Sequence, residues 1–267
     1  MEKWHKTGLV ILGAIVFSTV AIQASDVLRN INGGLAGLAI ESQGPCGAGT
    51  EQIMLGSGTL CVDKFEASSS QDCPVVSPET QIETQENMNE SQCFAVSKQS
   101  AWSWRYVSLA QAQQLCARAG KRLPTNDEWY ALASSIGDQS ECVVDTNGPG
   151  STGDTQCVTQ SGIYDMVGNV WEWIDGEVYD GQYNQRPLPT SGYVQTVDSD
   201  GIVVETSASA AQEYGADYAT INNSGVRGIL RGGFYGSGDD AGLYAQNISV
   251  PLDFRAPGVG FRCVKSI

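Results

Sequence analysis

The sequence predicts an α+β domain in which irregular structure dominates. Two amphipathic helices can be located in the middle of the chain, and the part that follows them reads as short strands joined by long loops. No unit of 20 to 50 residues recurs, which argues against a solenoid or a propeller. The 267 residues allow one large domain or two small ones, and we expect one.

The N-terminal segment has the pattern of an export signal. A short basic region precedes an apolar run over 8–22, and small residues follow at Ala24 and Ser25. The run is shorter than the roughly 20 residues that a membrane-spanning helix needs, but an uncleaved anchor remains the alternative to cleavage. We therefore expect a signal peptide or membrane anchor over 1–24, a glycine-containing tether over 25–44 and a globular domain over 45–267, located outside the cell or on its surface.

Cysteine usage agrees with export. The even number of eight cysteines favours disulfides, although eight cysteines can be paired in about 105 ways. Cys73 and Cys93 lie near the ends of the polar stretch 68–97, where a local disulfide could staple a long loop. No pair has CxxC spacing, and the single histidine, His5, lies in the export segment, so we expect no Cys/His zinc site.

The net charge of −15 limits the possible partners. Binding to nucleic-acid phosphates needs a basic surface, so we expect no nucleic-acid partner. The acidity favours a solvated exterior over an acidic docking face. Contact with a membrane is expected only through the N-terminal segment, if that segment is not cleaved.

Two helices carry start and stop signals. In "SLAQAQQLCARAGKR", Ser108 is the expected N-cap with Gln111 as its capping-box partner, and the helix should stop at Gly120. In "PTNDEWYALASS", Thr125 and Glu128 repeat the device. The buried face of the first helix is predicted to contain Leu109, Ala112, Leu115, Cys116 and Ala119, and that of the second Trp129 and Leu132.

The remainder predicts strands and turns. "YVQTVDSDGIVVET" reads as a β-hairpin with its turn at 198–201. One dense aromatic block, "GIYDMVGNVWEWIDG", occupies 162–176.

Four sequence blocks together resemble a known family. "CVDKFEAS", "VSLAQAQQLCARAGKRLPTNDEWYALA", "GIYDMVGNVWEWIDG" and "LRGGFYG…GVGFRCV" stand in the order and spacing of the formylglycine-generating-enzyme family, from about Cys61 to Val264. The resemblance implies that family's variant of the C-type lectin fold, with a disulfide between Cys116 and Cys263. The spans 68–97 and 177–226 depart from the family pattern.

The catalytic positions of that family are altered in this chain. Its enzymes use two cysteines after the Gly-Gly pair to hold copper and activate oxygen, and a gapless alignment from Gly232-Gly233 places Ser237 and Gly242 there. Neither residue can supply a thiolate. Because the carboxylates also lack a distinctive spacing for acid/base chemistry, we predict that the protein is not an enzyme. A formylglycine-generating oxidase remains one alternative.

The stretch from Arg231 to Cys263 is similar to the variable region of proteins diversified by retroelements. Such regions read Arg-Gly-Gly, then a polar asparagine-rich run, then Gly-Phe-Arg. Randomised adenines in asparagine codons cannot yield Lys, Glu, Met or Trp, and 234–259 contains none of these. The residues at places that such templates usually leave unchanged are Gly238, Ala241, Gly242, Ala245 and Asn247.

The resemblance implies a binding surface on a fixed frame. A core containing Trp129, Trp171 and Trp173 is expected to hold the frame, while the C-terminal segment displays aromatic anchors and polar groups, a mixture typical of recognition surfaces. The predicted ligand-binding residues are Phe234, Tyr235, Ser237, Asp239, Asp240, Tyr244, Asn247, Asp253, Phe254 and Arg255. For each aromatic residue, a place in the core is the alternative.

The resemblance also implies a structural calcium ion. In the family, the block matching "YDMVGNVWEW" wraps calcium, and the corresponding ligands are the side chains of Asp165 and Glu172 with the carbonyls of Gly168 and Val170. Carboxylates and carbonyls suit this hard cation. The alternative is that Glu172 caps a turn.

Together, these features predict an exported receptor or adhesin that binds a macromolecule, expected to be a protein, through a hypervariable surface. The second alternative is a structural surface protein whose C-terminal segment only packs.

Overall fold

Strands outnumber helices in the computed structural model, which describes residues 45–56 and 58–267. The predicted leader over 1–24 and tether over 25–44 lie outside these residues. Within the described ranges, no helix combines the length and apolar character needed to cross a bilayer.

Three α-helices are present in the described residues: α1 (Gln81–Asn89), α2 (Leu109–Arg118) and α3 (Asn126–Ala133). Both predicted helices are confirmed, and each begins with the predicted capping box. Helix α1 was not predicted, because the 68–97 stretch reads as a polar loop. Its start nevertheless carries the usual signal, since the Thr80 side chain accepts a hydrogen bond from the Glu83 amide.

The strands of the described residues are β1 Thr50–Leu55, β2 Gly58–Asp63, β3 Ala67–Ser69, β4 Ala95–Ser97, β5 Trp171–Tyr179, β6 Gln182–Tyr183, β7 Arg186–Pro187, β8 Gly192–Val197, β9 Val203–Ser207, β10 Tyr218–Ile221, β11 Val226–Arg231, β12 Gln246–Ile248, β13 Val259–Phe261 and β14 Val264–Ser266. These strands form three sheets. A three-stranded sheet has the order β1-β2-β14, and β3 pairs with β4. The largest sheet has nine strands in the order β7-β6-β5-β11-β12-β10-β8-β9, with β13 paired to β5. Strands β8 and β9 form the predicted hairpin.

The hydrophobic core lies between the helices and the large sheet. One cluster joins α2 to Trp173 and Phe261, and a second joins α3, through Trp129, to the strand residues Ile174 and Ile229. Trp129 and Trp173 are fully buried, as predicted. Burial of such large rings supplies much of the stabilisation of the frame.

All eight cysteines lie in the described residues and form disulfides. The four pairs are Cys46–Cys61, Cys73–Cys93, Cys116–Cys263 and Cys142–Cys157. They include the local staple expected in the 68–97 stretch and the pair that the family resemblance implied. The latter joins α2 to the end of the chain across 147 residues.

Candidate ligand-binding surface

The C-terminal segment starts from a buried arginine at the end of β11. The Arg231 guanidinium donates to the carbonyls of Gly201 at 2.9 Å and Leu243 at 3.0 Å. It also lies 4.8 Å from the centre of the Trp129 ring, within cation–π range. Burial lowers the pKa of Arg231 to about 10. The side chain thereby ties the segment to α3 and to the β8–β9 turn.

A buried carboxylate holds the middle of the same segment. Asp217, just before β10, accepts a hydrogen bond from the Tyr244 amide at 2.6 Å, while the next amide, of Ala245, donates to the Gly242 carbonyl at 3.2 Å. A Cβ atom at Gly242 would overlap the Asp217 carboxylate. Burial raises the pKa of Asp217 to about 7. The turn over 242–245 therefore sits directly on this side chain.

Buried and exposed residues alternate along the C-terminal segment. We call the buried ones frame positions and the exposed or partly exposed predicted ligand-binding residues display positions. Asp239, Asp240 and Asp253 are exposed, and the other seven predicted ligand-binding residues are partly exposed. By contrast, Ala241, Gly242 and Ala245 are buried. None of the ten predicted residues is buried, so each retains some surface that a partner could reach.

The two positions that correspond to the family's copper cysteines are closed to that chemistry. The Ser237 hydroxyl accepts a hydrogen bond from the Phe234 amide at 3.0 Å, within a short 3₁₀ turn region. Gly242 has no room for a side chain beside Asp217. Because every cysteine is in a disulfide, the surface holds no thiol.

Part of the segment closes one side of a 280 Å³ cavity, which we call the aromatic cavity. Four of the ten predicted residues line it, together with one glycine of the segment and three residues from the large sheet. The lining residues are Phe234, Gly236, Ser237, Asp240, Asn247, Trp171, Tyr218 and Thr220.

The six other predicted residues lie elsewhere. Asp239 lines a different cavity, beside the 212–216 turn. The ring of Tyr235 lies edge-on to that of Phe234, and the ring of Tyr244 lies edge-on to that of Tyr214. The surface is therefore broader than a single pocket.

Asp253, Phe254 and Arg255 form a separate group near the start of α2. Arg255 donates through Nε to the Gln111 side chain at 3.0 Å, and Phe254 packs partly against the core cluster that includes α2. The ten predicted residues are thus all at least partly exposed, but the fold does not bring them to one site.

The prediction that Trp171 belongs to the core holds only in part. Its side chain packs against the core cluster of Trp173, with which it shares a face of β5. Because it lies at the first position of the strand, it remains partly exposed and lines the aromatic cavity. Tyr218 and Thr220 were also missed as site residues. Their alternation with buried Ala219 is the signal that could have placed them on the open face.

The residues predicted to bind calcium have other partners. Both carboxylate oxygens of Glu172 accept from Arg262 Nε, at 2.8 Å and 2.9 Å, and one also accepts from Trp129. Asp165 accepts from the Gly153 amide at 2.7 Å, and burial raises its pKa to about 6.

Arg262 supplies the positive charge beside Glu172, so these residues fit calcium poorly unless the guanidinium moves. Across 45–56 and 58–267, no group of three or more His, Cys, Asp or Glu residues is positioned to hold a metal.

Comparison with known proteins places this geometry in a family. Residues 62–267 match the sulfatase-modifying factor enzyme 1-like domain. A 119-residue stretch is 28% identical to "Inactive C-alpha-formylglycine-generating enzyme 2" of Bos taurus, covering 35% of this chain and 39% of that protein. The α+β arrangement is accordingly the C-type lectin fold of the formylglycine-generating-enzyme type.

Several solved structures are similar at low identity. "Treponema denticola variable protein 1" matches with a TM-score of 0.43 and 16% identity, covering 82% of this chain and 99% of that one. "Major Tropism Determinant P3c Variant" gives 0.45 and 16%, with 82% and 53% covered. PvdO from Pseudomonas aeruginosa gives 0.46 and 14%, with 78% and 81% covered.

Proposed function

We propose, from the premise that this chain belongs to the sulfatase-modifying factor enzyme 1-like domain family, that it is a ligand-binding protein without oxidase activity. Its C-terminal segment displays a surface that varies in sequence, and its ligand is a macromolecule, most simply a protein. The rest of the fold holds that surface in place.

The observation that carries the proposal is the burial pattern along 231–258. A surface that is rewritten must not contribute the buried contacts on which folding depends. The ten display positions keep accessible area, whereas three of the places that retroelement templates usually leave unchanged, at Ala241, Gly242 and Ala245, are buried. The other two unchanged positions, Gly238 and Asn247, are partly exposed. The division between exposed and buried positions therefore agrees with the division between replaceable and fixed ones at three of the five fixed positions.

A substitution library tests this division. We expect variants with every residue type at Asp239, Asp240 and Asp253 to remain folded when displayed and sorted for protease resistance. The matched library at Ala241, Gly242 and Ala245 should lose most of its members, because larger side chains overpack the frame. Equal tolerance in the two libraries would contradict the proposal, and equal intolerance would favour a structural role for the segment.

Loss of oxidase chemistry is supported by the closed positions Ser237 and Gly242 and by the absence of a free thiol. Incubation with copper and a cysteine-containing peptide should consume no oxygen beyond the rate of a heat-unfolded control. Turnover of the peptide would overturn this part of the proposal.

Diversification by a retroelement is a separate step of the proposal, supported by the Arg-Gly-Gly and Gly-Phe-Arg flanks and by the residue types absent from 234–259. Sequencing of the surrounding genome tests it. We expect a reverse transcriptase gene and a near copy of the region coding for 231–263 that differs only at adenines.

Export is proposed on the basis of the four disulfides, which persist in oxidising compartments. Expression of the full chain in its native host, followed by labelling of intact cells with a membrane-impermeant reagent, should label the protein at the cell surface or recover it outside the cell. Exclusive recovery from the cytosol would contradict export.

Calcium binding at 165–172 remains a separate proposal with a condition attached. Asp165 and the carbonyls of Gly168 and Val170 are candidate ligands, and Glu172 can join them only if Arg262 withdraws. A melting temperature that rises with added calcium, and less so in Asp165→Asn, would support the site. An unchanged melting temperature would discard it.

A further inference from the structure

The aromatic cavity is walled by rings that come from three different parts of the chain. Trp171 begins β5, Tyr218 begins β10, and Phe234 follows the Gly-Gly pair after β11. Thr220 on β10 and Asn247 on β12 are directly paired positions of neighbouring strands and lie side by side among the lining residues. The sheet and the variable segment therefore both contribute to the lining, and Asn247 belongs to both.

The rings are held before any ligand arrives. Phe234 packs against Gly258, where a Cβ atom would collide with the ring, and its centroid lies 5.0 Å from that of Tyr235. Tyr218 meets Tyr193 edge-on with centroids 5.2 Å apart. Preorganised aromatic walls lose little side-chain entropy on binding.

The charge of the cavity has one sign. Asp240 is the carboxylate among the lining residues, and no lysine, arginine or histidine is among them. Partial burial, with Asp239 close by, raises the pKa of Asp240 above its usual value, since the anion is incompletely solvated and unpaired by a cation. A cation brought into this cavity would meet the negative faces of the rings and a carboxylate that lacks a positive partner.

We propose that the aromatic cavity receives the basic side chain, lysine or arginine, of a protein partner. The proposal rests on the ligand-binding function argued above and deepens it by naming the chemistry of the ligand. The cavity volume of 280 Å³ is at the lower end of ligand pockets, which suits one long side chain better than a folded segment. The rings contact the aliphatic stem and the cation, and Asp240 binds the charged end.

The rival occupant is a neutral sugar, because sugars also stack on aromatic rings beside carboxylate and amide groups. Charge separates the two. A basic side chain loses affinity when its charge or that of Asp240 is removed, and a neutral sugar depends much less on either.

Small capped amino acids provide the probes. We would titrate the full domain with N-acetyl-arginine methylamide and N-acetyl-lysine methylamide, with the uncharged citrulline and norleucine analogues as controls, and follow binding by ligand-observed NMR. At least one cationic probe should bind about tenfold more tightly than its neutral counterpart.

Two carboxylates give a matched pair of variants. Asp240→Asn should weaken the cationic probe about tenfold, whereas Glu205→Gln removes one charge from an exposed position on β9 that does not line the cavity and should weaken it less than about twofold. Thermal unfolding of both variants shows whether the fold is intact. Equal effects of the two substitutions, equal binding of charged and neutral probes, or binding of glucose or galactose in place of the cations would overturn the proposal.

This result is separable from the proposed function. If no capped amino acid binds but the display positions tolerate substitution in the library experiment, the cavity proposal fails while the ligand-binding surface stands. If the library shows no tolerance, the proposed function fails whatever the probes do.

Discussion

The segments 68–97 and 232–258 are fixed in different ways. The segment 68–97 is closed on itself by Cys73–Cys93, and within it Asn87 accepts from the Val75 amide and donates to the Val75 carbonyl, both at 2.8 Å. The segment 232–258 contains no cysteine. Arg231 at its edge and Asp217 outside it hold its backbone, and a few side chains of its own, such as Ser237 and Gln246, add hydrogen bonds.

The difference explains which segment can vary. A segment that is held by hydrogen bonds among its own residues must keep those residues, as the segment 68–97 must keep Asn87. A segment whose backbone is fixed from elsewhere needs only small residues at the contact points, such as Gly242 beside Asp217. Its remaining side chains are then free to change without loss of the fold.

The largest expected effect comes from removing Asp217, a side chain outside the segment 232–258 that binds the backbone of that segment. Asp217→Ala leaves the Tyr244 amide without its acceptor and leaves a cavity under the 242–245 turn. We expect the free energy of unfolding to fall by about 4 kcal/mol, since an unpaired buried donor costs about 1 to 3 kcal/mol and the cavity adds to that loss. Urea unfolding followed by fluorescence measures the loss. A change below about 1 kcal/mol would mean that the segment is fixed by other contacts.

The difference in free energy of unfolding between wild type and Asp217→Ala should depend on pH in a defined direction. The pKa of Asp217 is raised from 3.8 to about 7 in the folded state, so its contribution to stability is complete below the unfolded pKa and is lost as the pH rises through about 7. The stability difference between wild type and Asp217→Ala should therefore shrink from about pH 5 to about pH 8. The other buried carboxylates are common to both proteins and cancel in the comparison.

Removal of the internal staple should have a somewhat smaller effect. Cys73 and Cys93 are 20 residues apart, and opening a loop of that length costs about 3 kcal/mol in the chain-entropy description. We expect the double substitution Cys73→Ser, Cys93→Ser to lower the melting temperature while binding of the cationic probe is unchanged. A loss of probe binding at temperatures where the variant is folded would show that the two segments are coupled.

The smallest effect is expected at the display positions. Asp239→Ala and Asp253→Ala remove exposed carboxylates and should change the free energy of unfolding by less than about 0.5 kcal/mol. Differential scanning calorimetry of these variants beside Asp217→Ala gives the contrast directly. Losses comparable with that of Asp217→Ala would place both residues in the frame and return the segment to a purely structural role.

The parts of the fold that follow local rules were predictable. Helices α2 and α3 carry capping boxes, and the β8–β9 hairpin carries its turn residues, so neighbouring side chains decide each element. Helix α1 escaped prediction because its apolar residues do not recur with a helical period, although the Thr80 cap was readable.

The parts of the site that depend on distant residues were not predictable. The role of Asp217 in holding the 242–245 turn is visible only once the fold brings its side chain next to Gly242. The sheet residues of the aromatic cavity come together only because β5, β12 and β10 lie in one sheet. Trp171 shows the limit most directly. Its sequence context favours the core as much as that of Trp173 does, and both rings lie on the same face of β5. Only the position of Trp171 at the start of the strand, where the fold leaves one side of the ring uncovered, separates the two.

The bond between Cys116 and Cys263 has a consequence for how the protein would withstand digestion. A protease that cuts an exposed peptide bond near Asp253 would leave the C-terminal piece tethered covalently to α2. The cleaved molecule would migrate as one species on a non-reducing gel and as two after reduction. A cut in the display surface would therefore not release the C-terminal piece, and the buried strand β13 would stay covalently attached to α2.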